Sequence, residues 1–311
     1  MKSILAAAIA ALCSCGAWST TLATAPQSSL WLEDPTNPNA AVLYTASGDY
    51  TVPSPKWHVA QWGIPAGSRL TGSLTVPPNT DWNNSNPYAS VAYTAASHMY
   101  QLGANGALAQ PLCVDPKTGS INEFDLLLEP NNANDEPGYA AGIAPSATLD
   151  KLSSVKLNFG FRLTYQNITA KCTTHDNYGS YLATLVLRDP GAMAGSGGET
   201  LFYQFIILDS RGGTRGPGLY RAWYTNSTGP NFGIDSSIAH WGMPLPTNGG
   251  ARQFYSFDVY SELKSLIQSG YGALDKDISH WNITGFYMGD LILGGATATT
   301  QWDSFTLTTA P

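Results

Sequence analysis

Charge, cysteine and histidine are all scarce in this chain. Charged residues make up only 12% of the 311 residues, and acidic residues outnumber basic ones by 22 to 15. A surface with this balance repels the phosphates of nucleic acids and anionic lipid headgroups, so we expect neither as a partner. The five histidines show no zinc-site spacing, and no Gly-x-Ser-x-Gly sequence marks a serine hydrolase. The sequence therefore gives no support to zinc or serine-hydrolase chemistry.

Long apolar runs are missing except at the N-terminus. Residues 4–12 are apolar and follow Met1 and Lys2, and a small-x-small cleavage pattern lies at Ala17 and Ser19. This pattern predicts a signal peptide over residues 1–19 and a secreted, extracellular protein rather than a periplasmic one. Lipid anchoring through Cys15 is the alternative, because residues 12–15 loosely resemble a lipobox. We expect no membrane span in the mature chain, which we expect to be a monomer.

Only two of the four cysteines lie beyond that segment. They are Cys113 and Cys172. In the oxidising compartment that a secreted protein enters, a lone pair of cysteines most simply forms one disulfide. The sequence therefore predicts a Cys113–Cys172 disulfide.

Aromatic residues are abundant, at 11%, and short apolar segments recur between clusters of Gly, Pro and Asn. Such segments, bounded by turn formers, predict β-strands. The predicted strands are residues 41–44, 57–62, 69–76, 89–93, 123–128, 155–165, 180–187, 201–208, 219–224, 283–288 and 304–308. The pattern predicts an all-β fold, a two-sheet antiparallel β-sandwich of the jelly-roll type. We expect a single domain over residues 20–311; the alternative is two smaller sandwiches divided near Leu152.

One segment follows helical rather than strand periodicity. Its apolar residues lie three and four positions apart between residues 257 and 269. Ser256 is suited to the start of a helix and Gly270 to its end. The sequence therefore predicts one short helix.

The segment from Glu123 to Glu129 carries an unusual charge pattern. Read as a strand with period two, it has three acidic residues on one face and three apolar residues on the other. The acidic residues are Glu123, Asp125 and Glu129, and the apolar ones are Phe124, Leu126 and Leu128. Three like charges on one face repel each other and call for an explanation. They indicate either a functional site or two strand ends in solvent with Asp125 bonded to a neighbour.

This segment resembles the acidic strand of the laminarinase and lichenase family of jelly-roll glycosidases, where Glu-x-Asp-x-Glu carries the nucleophile and the acid/base. Here three residues separate Asp125 from Glu129, where the family has one or two. The pair Gly289-Asp290 similarly resembles a Gly-x-Glu strand of small jelly-roll endoglucanases, with Asp in place of Glu. The resemblance implies a concanavalin A-like fold with Glu123 as the first catalytic candidate, Asp125 orienting it, and Asp290 or Glu129 as partner. Six extended residues place Glu123 about 20 Å from Glu129, so these two can pair only across a bulge.

The resemblance implies an endo-acting glycoside hydrolase that cleaves a neutral polysaccharide or oligosaccharide. Two other functions stay open. One is a lectin-like protein that uses the same face without turnover. The other is a polysaccharide lyase, which would use groups such as Tyr220, Arg221 and His240.

Aromatic side chains stack well on sugar rings, so tryptophans are the candidate ligand platforms. Trp82, in a polar segment, is predicted to line the rim of a groove, and Trp241 is the next candidate. On strand 57–62, Trp57 and Gln61 share one face and Trp62 lies on the other, so one tryptophan belongs to the core. Trp57 and Gln61 are further candidate binding residues.

We expect no cofactor, apart from a structural Ca²⁺ that residues 131–136 or the pair Asp275 and Asp277 could hold.

Overall fold

The structure is a computed structural model that describes most of the second half of the chain and separate strands of the first. The described residues are 19–24, 31–33, 43–44, 57–62, 70, 81–82, 89–94, 97–106, 123–130, 143–169, 177–191, 199–211, 221–225, 231–270 and 274–311. Their strands are β1 (Thr20–Thr24), β2 (Trp31–Glu33), β3 (Leu43–Tyr44), β4 (Trp57–Trp62), β5 (Asp81–Trp82), β6 (Ala89–Thr94), β7 (Met99–Asn105), β8 (Glu123–Pro130), β9 (Ser154–Thr169), β10 (Tyr178–Asp189), β11 (Glu199–Asp209), β12 (Arg221–Thr225), β13 (Asn231–Ser237), β14 (Gln253–Asp258), β15 (Asn282–Leu293) and β16 (Gly295–Ala310). The helix α1 spans Tyr260–Ser269.

These strands form two sheets. The seven-stranded sheet has the order β14-β9-β16-β7-β6-β5, with β1 also paired to β16. The nine-stranded sheet has the order β12-β13-β11-β10-β15-β8-β4-β2-β3. Pairing is antiparallel except for two parallel pairs, β11 with β13 and β2 with β4. The predicted all-β, two-sheet jelly-roll sandwich with one short helix is confirmed, with those two parallel pairs added.

The core lies between the two sheets and is built from alternate residues of each strand. On β8, Phe124, Leu126 and Leu128 are fully buried in this core. Across the interior, the ring of Trp57 on β4 contacts the ring of Phe305 on β16, with centroids 5.4 Å apart. Burying one such large apolar side chain contributes about 1.5–3 kcal/mol to folding, so these strands are held firmly by their inward faces.

The helix begins later than predicted and ends where predicted. Ser256 lies in β14, and the first helical N–H, that of Tyr260, is instead bonded to the Oδ1 atom of Asp258 at 3.3 Å. Leu263 and Ile267 are buried on its inner side. Gly270 follows in a left-handed conformation with φ of 68°, which glycine adopts without strain.

Strands β10 and β11, which contain the predicted strands 180–187 and 201–208, pair with each other. Tyr181 and Phe205 are buried in the core. Phe202 is different: it lies three residues from Phe205 and therefore on the opposite face, where it is half-buried.

Several predictions concern residues outside the described part of the chain. Residues 1–18 of the signal peptide, both Cys113 and Cys172, and most of strand 69–76 lie there. The signal peptide and the disulfide stay predictions. Among the described residues, no helix is both long enough and apolar enough to cross a membrane.

Candidate functional site

The outer face of the nine-stranded sheet, turned away from the other sheet, carries an in-register row of polar residues. From one side to the other they are Asp235, Gln204, Thr184, Tyr287, Glu129 and His58. Met288 and Leu128 are aligned in the antiparallel pair β15 and β8. Tyr287 comes one residue before Met288 and Glu129 one residue after Leu128, so these two are also opposite each other. These six residues, on six adjacent strands, are called the polar row below. Each faces away from the core because its strand neighbours face inward.

Side-chain contacts connect neighbouring members of the polar row. The side-chain amide of Gln204 donates to the hydroxyl of Tyr287 at 3.1 Å. The imidazole Nε2 of His58 lies 3.3 Å from Oε2 of Glu129. Gln204, Tyr287 and Glu129 are partly exposed, which leaves the middle of the row within reach of a ligand.

Tyr287 keeps its proton at neutral pH. Loss of water around its hydroxyl raises its pKa well above the ordinary value, and the negative charges of Glu129 and Asp125 raise it further. Hydrogen bonds with Thr184 and Gln204 oppose this shift without cancelling it. Tyr287 is therefore a neutral phenol that can donate a hydrogen bond, and it is a poor candidate for a base.

Apolar residues border the polar row on both sides. On one side lie Phe202, Val186 and Gly285, which are aligned with one another. The ring of Phe202 is 6.4 Å from that of Tyr287, measured between centroids. On the other side lie Ile206, Leu182, Gly289, Leu127 and Ala60, also in register. The outer face thus offers a polar strip with an aromatic ring beside it.

Two of the four predicted catalytic residues lie on the outer face. Asp125 and Glu129 alternate with the buried Leu126 and Leu128, and both are partly exposed. The backbone of Glu123 pairs with Leu293, and its side chain lies outside the described part of the structure. The catalytic roles of these residues stay predictions.

Asp290 is placed differently from the prediction. It points into the core, where it is fully buried and accepts a hydrogen bond from Thr300 Oγ1 at 2.7 Å. Burial raises its pKa to about 8, so it is mostly protonated at neutral pH. Its position in β15, between the outward-facing Gly289 and Leu291, forces this orientation. Asp290 therefore cannot pair with Glu123 across the outer face, and that prediction is corrected.

Trp57 and Gln61 also face inward, which corrects their assignment as binding residues. The ring of Trp57 packs against Phe286 and Phe305 in the core. Gln61 is fully buried, accepts from the backbone N–H of Leu70 at 2.6 Å and donates to its carbonyl at 3.2 Å. A buried amide needs such partners, and they account for this residue.

Neither of the other predicted tryptophans lies in the polar row. Trp241 is partly buried, donates to Ser236 Oγ at 3.2 Å and packs against Phe205 and Phe257. Trp241 therefore packs at the edge of the core, and its prediction as a sugar platform is wrong. Trp82 belongs to β5 at the edge of the seven-stranded sheet, and its side chain is not among those described. A platform at Trp82 stays a prediction.

A second cluster lies at the end of β10. Ligand atoms of Asp189, Asp275 and His280 all lie within 4.8 Å of one another. His280 Nδ1 is 2.7 Å from Asp275 Oδ2, and this contact raises the pKa of His280. A hydrogen bond from the backbone N–H of Asp277, together with the contact with His280, lowers the pKa of Asp275. Burial raises the pKa of Asp189. Such a set could hold a divalent cation, and calcium there stays a prediction. Residues 131–136, the other predicted calcium site, lie outside the described part of the chain.

Most members of the polar row were not predicted. Gln204, Tyr287 and His58 alternate with core residues in their strands, so period two alone would have placed them on the outer face. What a single strand does not reveal is its register with strands distant in the sequence. The hydrogen bond between Gln204 and Tyr287, and the contact of His58 with Glu129, depend on that register.

No known family profile and no curated protein matches this chain. Similar solved structures include an endoglucanase from Rhodothermus marinus, at 13% identity, with 72% of this chain and 87% of that chain covered and a TM-score of 0.41. A family 12 xyloglucanase from Bacillus licheniformis matches at 11% identity, with 75% and 98% covered and a TM-score of 0.41. A loop-swap mutant of Xyn11A from Necallimastix patriciarum matches at 8% identity, with 85% and 98% covered and a TM-score of 0.42. These matches concern the fold alone.

Proposed function

We propose that the outer face of the nine-stranded sheet binds a neutral polysaccharide and that the carboxylates of β8 hydrolyse it. The observation that carries this proposal is the polar row, in which carboxylate, phenol, amide and imidazole groups line up across six adjacent strands. The part of the row within reach of a ligand, from Gln204 to Glu129, spans three strand spacings and is about 14 Å long. That is long enough for several sugar rings, which suits an enzyme that cuts within a chain.

The chemistry of the row suits sugar hydroxyls. Tyr287 is a neutral phenol and Gln204 a neutral amide, and both can donate and accept. Phe202 beside them offers an aromatic surface for the C–H face of a sugar ring. Hydroxyl recognition with aromatic stacking indicates a neutral carbohydrate more than an apolar ligand.

The acidic character of the face argues against an anionic polymer. Asp125 and Glu129 occupy it together with Asp235, and His58 is already in contact with Glu129. Such a face repels uronic acid or sulfated chains.

A lyase acting through Tyr287 is also disfavoured, because that phenol is held neutral. His240, one of the three residues named for a lyase from the sequence, is 3.1 Å from Glu262.

Hydrolysis of a glycosidic bond needs two carboxyl groups that flank the scissile bond, about 5–5.5 Å apart in a retaining enzyme and about 6.5–9.5 Å apart in an inverting one. Asp125 and Glu129 are four residues apart on β8, so their Cα atoms are about 13 Å apart. A catalytic pair of these two residues would require their side chains to lean toward each other. Asp235 is four strands away from Glu129, about 19 Å along the sheet. Asp125 is therefore the preferred partner of Glu129, with Glu123 the further candidate from the same face.

The test is release of reducing ends from a panel of neutral and anionic polysaccharides. We expect wild-type protein to cleave a neutral polysaccharide and Glu129→Gln to lose at least about a hundredfold in kcat while still binding it. Glu262→Gln is the matched control, because Glu262 also contacts a histidine but lies on α1. It should retain activity once its folding is verified.

The outcomes separate hydrolysis from binding alone. Binding that depends on Gln204 and Tyr287 with no cleavage of any polysaccharide would assign the face to a lectin-like protein. Full activity in Glu129→Gln would remove Glu129 from the mechanism. Preference for an anionic polysaccharide would contradict the substrate class proposed here.

A further inference from the structure

His58 and Glu129 form a side-chain pair on neighbouring strands of the outer face. They are directly opposite each other in the register of β4 and β8. The side chain of His58 is 11% exposed and that of Glu129 is 19% exposed. His58 is flanked by Trp57 and Val59, both buried in the core, which fixes the backbone that carries the imidazole. The imidazole therefore has little freedom to move away from Glu129.

A second histidine–glutamate pair in the same protein makes a useful comparison. His240 Nε2 is 3.1 Å from Glu262 Oε2, much as His58 Nε2 is 3.3 Å from Glu129 Oε2. The other oxygen of Glu262 accepts a hydrogen bond from the hydroxyl of Tyr203, so the protein uses both of its oxygens. For Glu129, the residues that the structure describes contact Oε2 and give Oε1 no hydrogen bond. Within the described part of the chain, the protein thus occupies both oxygens of Glu262 and only Oε2 of Glu129.

We propose that His58 is a positioning residue that holds Oε2 of Glu129 and so presents Oε1 to the substrate. This inference rests on the proposed catalytic role of Glu129. The titratable groups that face Glu129 are His58 from β4, Tyr287 from β15 and Asp125 from its own strand. Of these only the imidazole can carry a positive charge, and its N–H donates to a carboxylate that can only accept. His58 thereby fixes the rotamer of the carboxylate without touching the sugar.

Kinetics of three variants test this role. His58→Ala removes the donor and should lower kcat about tenfold or more, because a misplaced reacting group is costly, while KM changes less than about twofold. His58→Gln keeps an N–H donor and should recover most of that loss. His240→Ala is the matched control and should leave kcat unchanged. Equal losses in His58→Ala and His58→Gln, an unchanged kcat in His58→Ala, or a loss confined to KM would each overturn the proposal.

A second measurement does not depend on turnover. The ¹³C carboxyl resonance of Glu129, identified by its absence in Glu129→Gln, should show a pH transition between about pH 5 and pH 8, where histidine changes charge. That transition should vanish in His58→Gln and persist in His240→Ala. An identical titration in wild type and His58→Gln would overturn the contact itself. If no polysaccharide is cleaved but the transition behaves as expected, the contact stands while the proposed function, and with it the positioning role, fails.

Discussion

Asp290 is a carboxyl group enclosed by the core, and its burial has a consequence for stability. Its pKa in the folded protein is raised from 3.8 to about 8. Above its ordinary pKa the unfolded chain releases this proton while the folded protein retains it. The stability that this group contributes is therefore fully present below about pH 4 and is lost as the pH rises towards 8.

Replacing this carboxyl group by an amide should remove that pH dependence. We expect Asp290→Asn to melt at a temperature that rises relative to wild type as the pH goes from about 4 to about 8, with no further change above that. Thermal melting of both proteins across this range measures the difference. Parallel melting curves at all pH values would mean that Asp290 is not the buried neutral acid described here.

The sequence predicts how side chains alternate between the two faces of a single strand. For some residues this predicted the correct environment, and for others it did not. It placed Asp125 and Glu129 together on one face and separated Trp57 from Trp62. It did not settle which face would be the core, so Trp57 and Gln61 were assigned outward. The prediction for Asp290 came from a resemblance to a motif. Alternation along β15 instead places Asp290 on the same face as Met288 and Ile292, which are both core residues.

At the scale of elements, the pairing of β15 with β8 depends on Gly289. A Cβ atom built at Gly289 would lie 2.1 Å from the carbonyl oxygen of Leu126, and its φ of 158° is one that other residues rarely adopt. A backbone atom cannot move aside as a side chain can. We expect Gly289→Ala to cost about 3 kcal/mol or more in the free energy of unfolding.

Gly285, on the same strand and the same face, supplies the matched control. A Cβ atom there would first meet the side chain of Val186, at 3.2 Å. Urea unfolding should show Gly285→Ala to be much less destabilised than Gly289→Ala. Similar losses in the two variants would contradict the close approach of β15 and β8 at Gly289.

Strands of strong apolar character could be predicted, and polar strands could not. The predicted strand 57–62 has the observed bounds of β4, and most other predicted strands fell within longer observed ones. Strands β7 and β13 were missed because Gly, Asn and Ser interrupt their alternation. Strand β14 was missed partly because its last residues had been assigned to the start of the helix. Propensity is a weak guide where tertiary pairing stabilises a strand.

At the scale of the whole molecule, both sheets join segments that are far apart in the sequence. Strand β7 pairs with β16, and β8 pairs with both β4 and β15. The polar row is a product of these non-local registers, since a shift of one residue in any strand would turn its polar residue to the core. This is why the acidic strand could be predicted while its partners Tyr287 and His58 could not.

The central claim is that a polysaccharide binds along the polar row. A crystal structure of Glu129→Gln with a bound oligosaccharide of the polysaccharide that the protein cleaves or binds tests it most directly. The sugar rings should lie over the outer face of the nine-stranded sheet, with hydroxyls within hydrogen-bond distance of Gln204 and Tyr287 and one ring against Phe202. An ordered oligosaccharide bound elsewhere, with none over Gln204 and Tyr287, would contradict the claim.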